Sequence, residues 1–116
     1  MKKFNRTMFA MSLLMTSIIA PAKGEVIIEK STVLTTDLMD SVIITNNNIQ
    51  LNCAGHSLIG TPDLQGIKLQ GRTGVTIKNC NIIGFLNGID LHNSNDNQIK
   101  NNNIYGSFVF KLKALG

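Results

Sequence analysis

Residues 66–87 and residues 88–109 of this chain are two versions of one 22-residue row, GIKLQGRTGVTIKNCNIIGFLN and GIDLHNSNDNQIKNNNIYGSFV. The matches are Gly66/Gly88, Ile67/Ile89, Leu69/Leu91, Ile77/Ile99, Lys78/Lys100, Asn79/Asn101, Asn81/Asn103, Ile82/Ile104 and Gly84/Gly106. An earlier row aligns with one adjustment. Ile49-Gln50-Leu51 falls on Val75-Thr76-Ile77 at an offset of 26, and Ser57-Leu58-Ile59-Gly60 falls on Asn81-Ile82-Ile83-Gly84 at an offset of 24, which places a two-residue insertion around Ala54-Gly55. A fixed period of this length marks a stack of repeats, because one such unit cannot bury its apolar side chains alone.

Inside each row the apolar residues alternate: Ile67 and Leu69, Val75 and Ile77, Cys80 and Ile82. Two-residue periodicity in short runs punctuated by Gly and Asn reads as brief strands joined by tight turns. No stretch beyond residue 22 sustains a helical period. Three short strands per row of about 22 residues predict an all-β parallel β-helix of about three coils, with equivalent side chains stacked at about 4.8 Å. Asparagine is the compositional outlier, with Asn5 and thirteen more between Asn46 and Asn103. It tolerates the left-handed backbone of sharp turns and can bond nearby backbone. Asn79/Asn101 and Asn81/Asn103 are therefore candidate structural ladders along the coil axis.

The basic balance of the whole chain, +4, comes from its start. Lys2, Lys3 and Arg6 precede an apolar run over residues 8–20 that ends in Ala20-Pro21-Ala22. A basic flank, a short apolar core and small residues at the cleavage position predict a signal peptide over 1–22. The remaining 94 residues carry 8 cations against 7 acids, so the electrostatic case for nucleic acid disappears and no membrane segment is expected after cleavage. The expected compartment is the periplasm or the extracellular space.

The runs Ile49-Gln50-Leu51-Asn52-Cys53-Ala54-Gly55-His56-Ser57-Leu58-Ile59-Gly60 and Gly71-Arg72-Thr73-Gly74-Val75-Thr76-Ile77-Lys78-Asn79-Cys80 resemble right-handed parallel β-helix repeat proteins. More narrowly, they resemble the NosD-type periplasmic β-helix group of the pectin-lyase-like superfamily, over residues 33–106. The resemblance implies a right-handed coil, in keeping with the general bias of parallel crossovers. It leaves activity open, since that superfamily holds lyases, hydrolases, epimerases and non-catalytic members. Carried over, it makes Asp90 an acid or calcium ligand and Lys68 or Arg72 a base or clamp on an acidic polysaccharide, with Gln70 and His92 as ligand-binding neighbours.

The residues themselves favour a non-catalytic reading. Lys68, Asp90 and Lys111 are expected in one outward column, where an exposed charge ladder is the simpler assignment. A lyase would want several carboxylates for calcium and a hydrolase a facing pair of acids. Asp90 has no carboxylate at the matching outward place in either neighbouring row, and the acid-proline-His-acid run of the epimerases is missing. No other cofactor is called for. His56 falls in the row position of Cys80 and Asn102 and is expected in the turn stack, not on a metal. Asp63 is expected to anchor the turn after Pro62. Cys53 and Cys80 approach one corner in successive coils; a disulfide fits there, and two buried small hydrophobes are the expectation.

Residues 23–40 read as a lead-in and cap, and 41–116 as coils, the last incomplete and starting with Phe110-Lys111-Leu112 over Ile89-Asp90-Leu91. Apolar Phe108, Val109, Phe110 and Leu112 at an open sheet edge predict end-to-end association or a truncated product of a longer β-helix. The function expected is an exported, non-catalytic repeat module contacting a polysaccharide or a protein, the alternative being a pectin-lyase-like lyase or epimerase.

Overall fold

The computed structural model describes Ile18–Ile19 and residues 25–115. The expected leader falls outside the described residues except for Ile18–Ile19. Among the described residues there is no helix, and the chain winds as a parallel β-solenoid of about four turns. The first turn holds β2 (Glu25–Ile28) and β3 (Thr32–Val33), preceded by the two-residue β1 (Ile18–Ile19). The second holds β4 (Ser41–Ile44), β5 (Gln50–Asn52) and β6 (Ser57–Ile59), and the third β7 (Gln65–Gln70), β8 (Thr76–Lys78) and β9 (Asn81–Ile83). The fourth holds β10 (Asn87–His92), β11 (Gln98–Lys100) and β12 (Asn103–Tyr105), after which β13 (Phe110–Leu115) opens another.

Equivalent strands stack into three sheets, ordered β1-β2-β4-β7-β10-β13, β3-β5-β8-β11 and β6-β9-β12. Every pairing is parallel except β1 with β2, which is antiparallel. The 22-residue period appears directly in the register: Ile67 lies beside Ile89, Leu69 beside Leu91, Ile77 beside Ile99 and Ile82 beside Ile104. The offsets of 26 and 24 across the second turn also hold, as Leu51 meets Ile77 and Leu58 meets Ile82.

Two boundaries differ from the sequence reading. Residues 25–40 are drawn into the stack as a shortened first turn: Val26 and Ile28 stack on Val42 and Ile44, and Leu38 bridges to Leu58. Their offsets of 16 and 20 do not match the repeat, so periodicity could not reveal them. At the other end Ile89 pairs with Leu112, an offset of 23 where 21 was expected. The reason lies in the preceding turn. Residues 107–109 occupy the corner that Phe85 and Leu86 fill one coil earlier, with Phe108 and Val109 donating to the Phe85 and Leu86 carbonyls.

Apolar columns form the core. Val26, Val42, Ile67 and Ile89 make one, and Leu51 and Ile77 another; Leu58 and Ile82 make a third, all of these residues buried. Burial of each aliphatic side chain contributes about 1.5–3 kcal/mol. Close coil contact also requires missing side chains. A Cβ on Gly60 would run into the ring of fully buried Phe85, and one on Gly66 into the Gly88 carbonyl oxygen. Gly66→Ala is therefore expected to lower stability by about 2–3 kcal/mol, read as a shifted urea midpoint with an unchanged slope.

Candidate functional site

Two surfaces bring polar side chains together. The first lies on the outer face of the long sheet, where register sets Lys68 beside Asp90 and Asp90 beside Lys113. Gln70 and His92 form the adjoining pair. A shallow depression of about 80 Å³ is lined by Lys68, Gln70, Asp90, His92 and Lys113 with Leu69 and Leu115. Lys113, not Lys111, continues the column of Lys68 and Asp90, because the last strand is shifted by two residues relative to the expected alignment. A shift of two keeps the same residues facing out but changes which lysine meets Asp90.

The proposed catalytic side chains there have other partners. Lys68 Nζ is 2.8 Å from Glu25 Oε2, reaching from the third turn back to the first. Arg72 is not on this face at all. Its Nε donates to the Gln70 carbonyl at 3.0 Å and its Nη1 to the Thr45 carbonyl at 2.8 Å, so the guanidinium ties the corners of two turns together. Among the described residues no three His, Cys, Asp or Glu side chains converge as a metal site.

The second surface is the corner between the two shorter sheets. A groove of about 360 Å³ runs across it, lined by Ala54, Gly55, Asn79, Cys80, Asn81, Asn101 and Asn103. The insertion at Ala54-Gly55 swings the second turn outward through two positive-φ residues, Ala54 at 52° and Gly55 at 86°. Asn79 and Asn101 take the same left-handed conformation one and two coils on, at 59° and 57°. The carboxamides link the coils. Asn103 Nδ2 donates to Asn81 Oδ1 at 3.1 Å, Asn81 Nδ2 to the Gly55 carbonyl at 2.8 Å, and Asn79 Nδ2 to Asn52 Oδ1 at 3.0 Å. Asn79 thus bonds to the coil before it. The Asn101 carboxamide is exposed and faces solvent beside Lys100, which stacks in register on Lys78.

Below the groove Cys53 and Cys80 form a disulfide, with their Cα atoms 4.8 Å apart. The expectation of two separate buried thiols is corrected. The two cysteines do share one corner in successive turns, as their spacing suggested, and the sulfurs there are bonded to each other. His56 stands at the same corner, its Nδ1 3.3 Å from Asp37 Oδ1, while the Ser57 amide donates to that oxygen at 2.9 Å. Asp63 accepts from Thr61 Oγ1 within its turn.

The sequence offered no sign of Glu25 as the partner of Lys68, since they are 43 positions apart across turns that break the period. Nor did it show the Asn residues as one surface, although the Ala54-Gly55 insertion was the signal that marked the corner. No family model, no curated protein and no solved structure matches this chain.

The disulfide closes a loop of 27 positions, for which chain entropy gives about 3–4 kcal/mol. Denatured, unreduced protein is expected to show no titratable thiol and reduced protein two, with reduction lowering the unfolding free energy by about 2–4 kcal/mol. Asp37 should respond to acid. The Ser57 amide, and secondarily His56, hold its carboxyl below the usual 3.8. A carboxyl depressed in the folded state stabilises above its unfolded pKa, and that contribution fades as pH falls through the folded value. Carboxyl carbon NMR is expected to place the Asp37 midpoint below 3.8, and Ser57→Pro, which deletes the amide donor, to raise it.

Proposed function

We propose that this chain is an exported, non-catalytic parallel β-helix repeat module that contacts a glycan through its corner groove. The observation that carries this reading is the groove itself, lined on two successive coils by the carboxamides of Asn79, Asn81, Asn101 and Asn103. A carboxamide offers both donors and acceptors, which is the complement of a sugar hydroxyl. Its repetition at strand spacing of about 4.8 Å suits an extended chain lying along the axis. The groove is open and shallow, a shape for binding a polymer, whereas active sites bury most of a small substrate. Export to the periplasm or the extracellular space fits the basic and apolar start of the chain and the disulfide, which persists in oxidising compartments. The finer assignment, a right-handed coil of NosD-type within the pectin-lyase-like superfamily, rests on the sequence motifs.

A second reading, an enzyme acting on an acidic polysaccharide, draws support from the juxtaposition of Lys68, Asp90 and His92 on the long sheet. The pairing of Lys68 with Glu25 and of Arg72 with two carbonyls weighs against it.

A glycan array followed by calorimetry on the positive polymers tests the binding. Asn101→Gly keeps the left-handed backbone and removes only the carboxamide, so it is expected to weaken binding about two- to tenfold without changing stability. Asp90→Asn should leave binding intact. Failure of every polymer to bind overturns the glycan reading. Release of unsaturated uronate, followed by its ultraviolet absorbance and abolished by Asp90→Asn, would install the enzyme reading in its place.

A further inference from the structure

The outer face of the β6-β9-β12 sheet carries an apolar column that takes no part in the core. Along β6 and β9 the side chains alternate, with Leu58 and Ile82 buried and Ser57, Ile59, Asn81 and Ile83 turned outward. Register sets Ile59 beside Ile83 and Ser57 beside Asn81. The column extends one turn further back. Leu38 bridges to Leu58, so Met39 falls beside Ile59, and Met39 is 67% exposed. Isolated apolar side chains on a surface need no explanation, but three that stack on successive turns make a continuous stripe.

The stripe runs beside the corner groove, and Asn81 joins the two. Its carboxamide lines the groove, and Ile83 follows two positions later on the same outward face. Two residues of strand cover about 6.6 Å and successive turns lie about 4.8 Å apart, dimensions that suit a flat sugar ring lying across the strand direction on each turn. No charged residue occurs in β6, β9 or β12, nor among the residues that line the groove. Charges stand only at the margins: Asp37 with His56 at the start of β6, and Lys78 and Lys100 at the ends of β8 and β11 across the corner.

On the footing that the corner groove holds a glycan, we propose that its ligand is an uncharged, extended β-1,4-linked polysaccharide and that Met39, Ile59 and Ile83 are the surface on which the rings stack. A sugar with equatorial hydroxyls is amphipathic: the hydroxyls surround its edge, and the axial C–H bonds make its two faces apolar. Laid along the solenoid axis, such a chain rests ring faces on the aliphatic stripe and turns one edge to the carboxamides, which supply both donors and acceptors. A uronate polymer would bring a carboxylate on every ring to a strip without a cation, giving up hydration with no ion pair in return. An α-1,4-linked glucan curls and would leave a straight stripe.

Titration calorimetry of the protein with cellohexaose, with chitohexaose and with hexagalacturonate tests the proposal, urea midpoints confirming that each variant is folded. A neutral oligosaccharide is expected to bind at least about tenfold tighter than hexagalacturonate, with the same affinity in low and high salt. Ile59→Thr and Ile83→Thr keep a β-branched strand residue but remove apolar surface, so each should weaken the neutral ligand about three- to tenfold. Ile83→Tyr, which presents an apolar ring at the same place, should keep or tighten binding. Ile43→Thr, the same change at an outward position of the long sheet, should leave it unaltered. Preference for hexagalacturonate, affinity that falls with salt, or indifference to both Ile59→Thr and Ile83→Thr would overturn the proposal, and the groove stands as a glycan site if Asn101→Gly still weakens binding. Silence of all three oligosaccharides beside a positive polymer on the array overturns this ligand class alone, whereas silence of the whole array removes the groove's glycan function with it.

Discussion

Every other interaction in this molecule depends on apolar side chains that stack one strand spacing apart along the coil axis. A single turn encloses too little to exclude water from Ile67, Ile77 and Ile82; the turns above and below complete the burial. Parallel pairing then sets the register, because a slip of one residue would turn each apolar column outward. Gly60 and Gly66 are positioned by the same demand. They stand where neighbouring turns approach too closely for a Cβ, beside the Phe85 ring and the Gly88 carbonyl.

Asparagine translates that stacking into the corners. A turn in every row needs a left-handed residue, and Asn48, Asn79, Asn93 and Asn101 supply it with side chains that can bond the adjoining coil. Asn102 shows the principle most fully. Its Oδ1 accepts from the Cys80 amide at 2.9 Å and its Nδ2 donates to the Ile77 carbonyl at 3.0 Å, so both ends of the carboxamide serve the backbone of the coil before it. Such bonds contribute about 0.5–1.5 kcal/mol each, but an unpaired buried amide would cost about 1–3 kcal/mol, so their main effect is to penalise any other register. The carboxamides of Asn79, Asn81 and Asn103, which line the corner groove over the disulfide, make bonds between coils of the same kind.

Charge is distributed by the same geometry. A solenoid has flat sides and two ends, and its outward residues meet solvent in straight columns. Side chains that look catalytic in a linear sequence are thereby drawn into contacts between coils: Arg72 onto the carbonyls of its own and an earlier turn, Lys68 onto Glu25. Acids collect in the first turn, where Glu25, Glu29, Asp37 and Asp40 stand against the single Lys30.

The architecture was legible in the amino-acid sequence because a stacked repeat makes tertiary contacts periodic: whatever lies 22 positions away lies one coil away, as for Leu69 and Leu91. The two-residue insertion at Ala54-Gly55 was legible for the same reason, through the change of offset on either side of it. What escaped lay where the period fails. The first turn has offsets of 16 to 20, the last strand is displaced by the corner at residues 107–109, and the Glu25–Lys68 contact joins places that no repeat relates. Alternation and spacing determine which face of a strand is apolar and how the turns stack. Which lysine meets which acid, and whether two sulfurs come within bonding distance, depends on how far each corner bulges, and only the packed coils decide that.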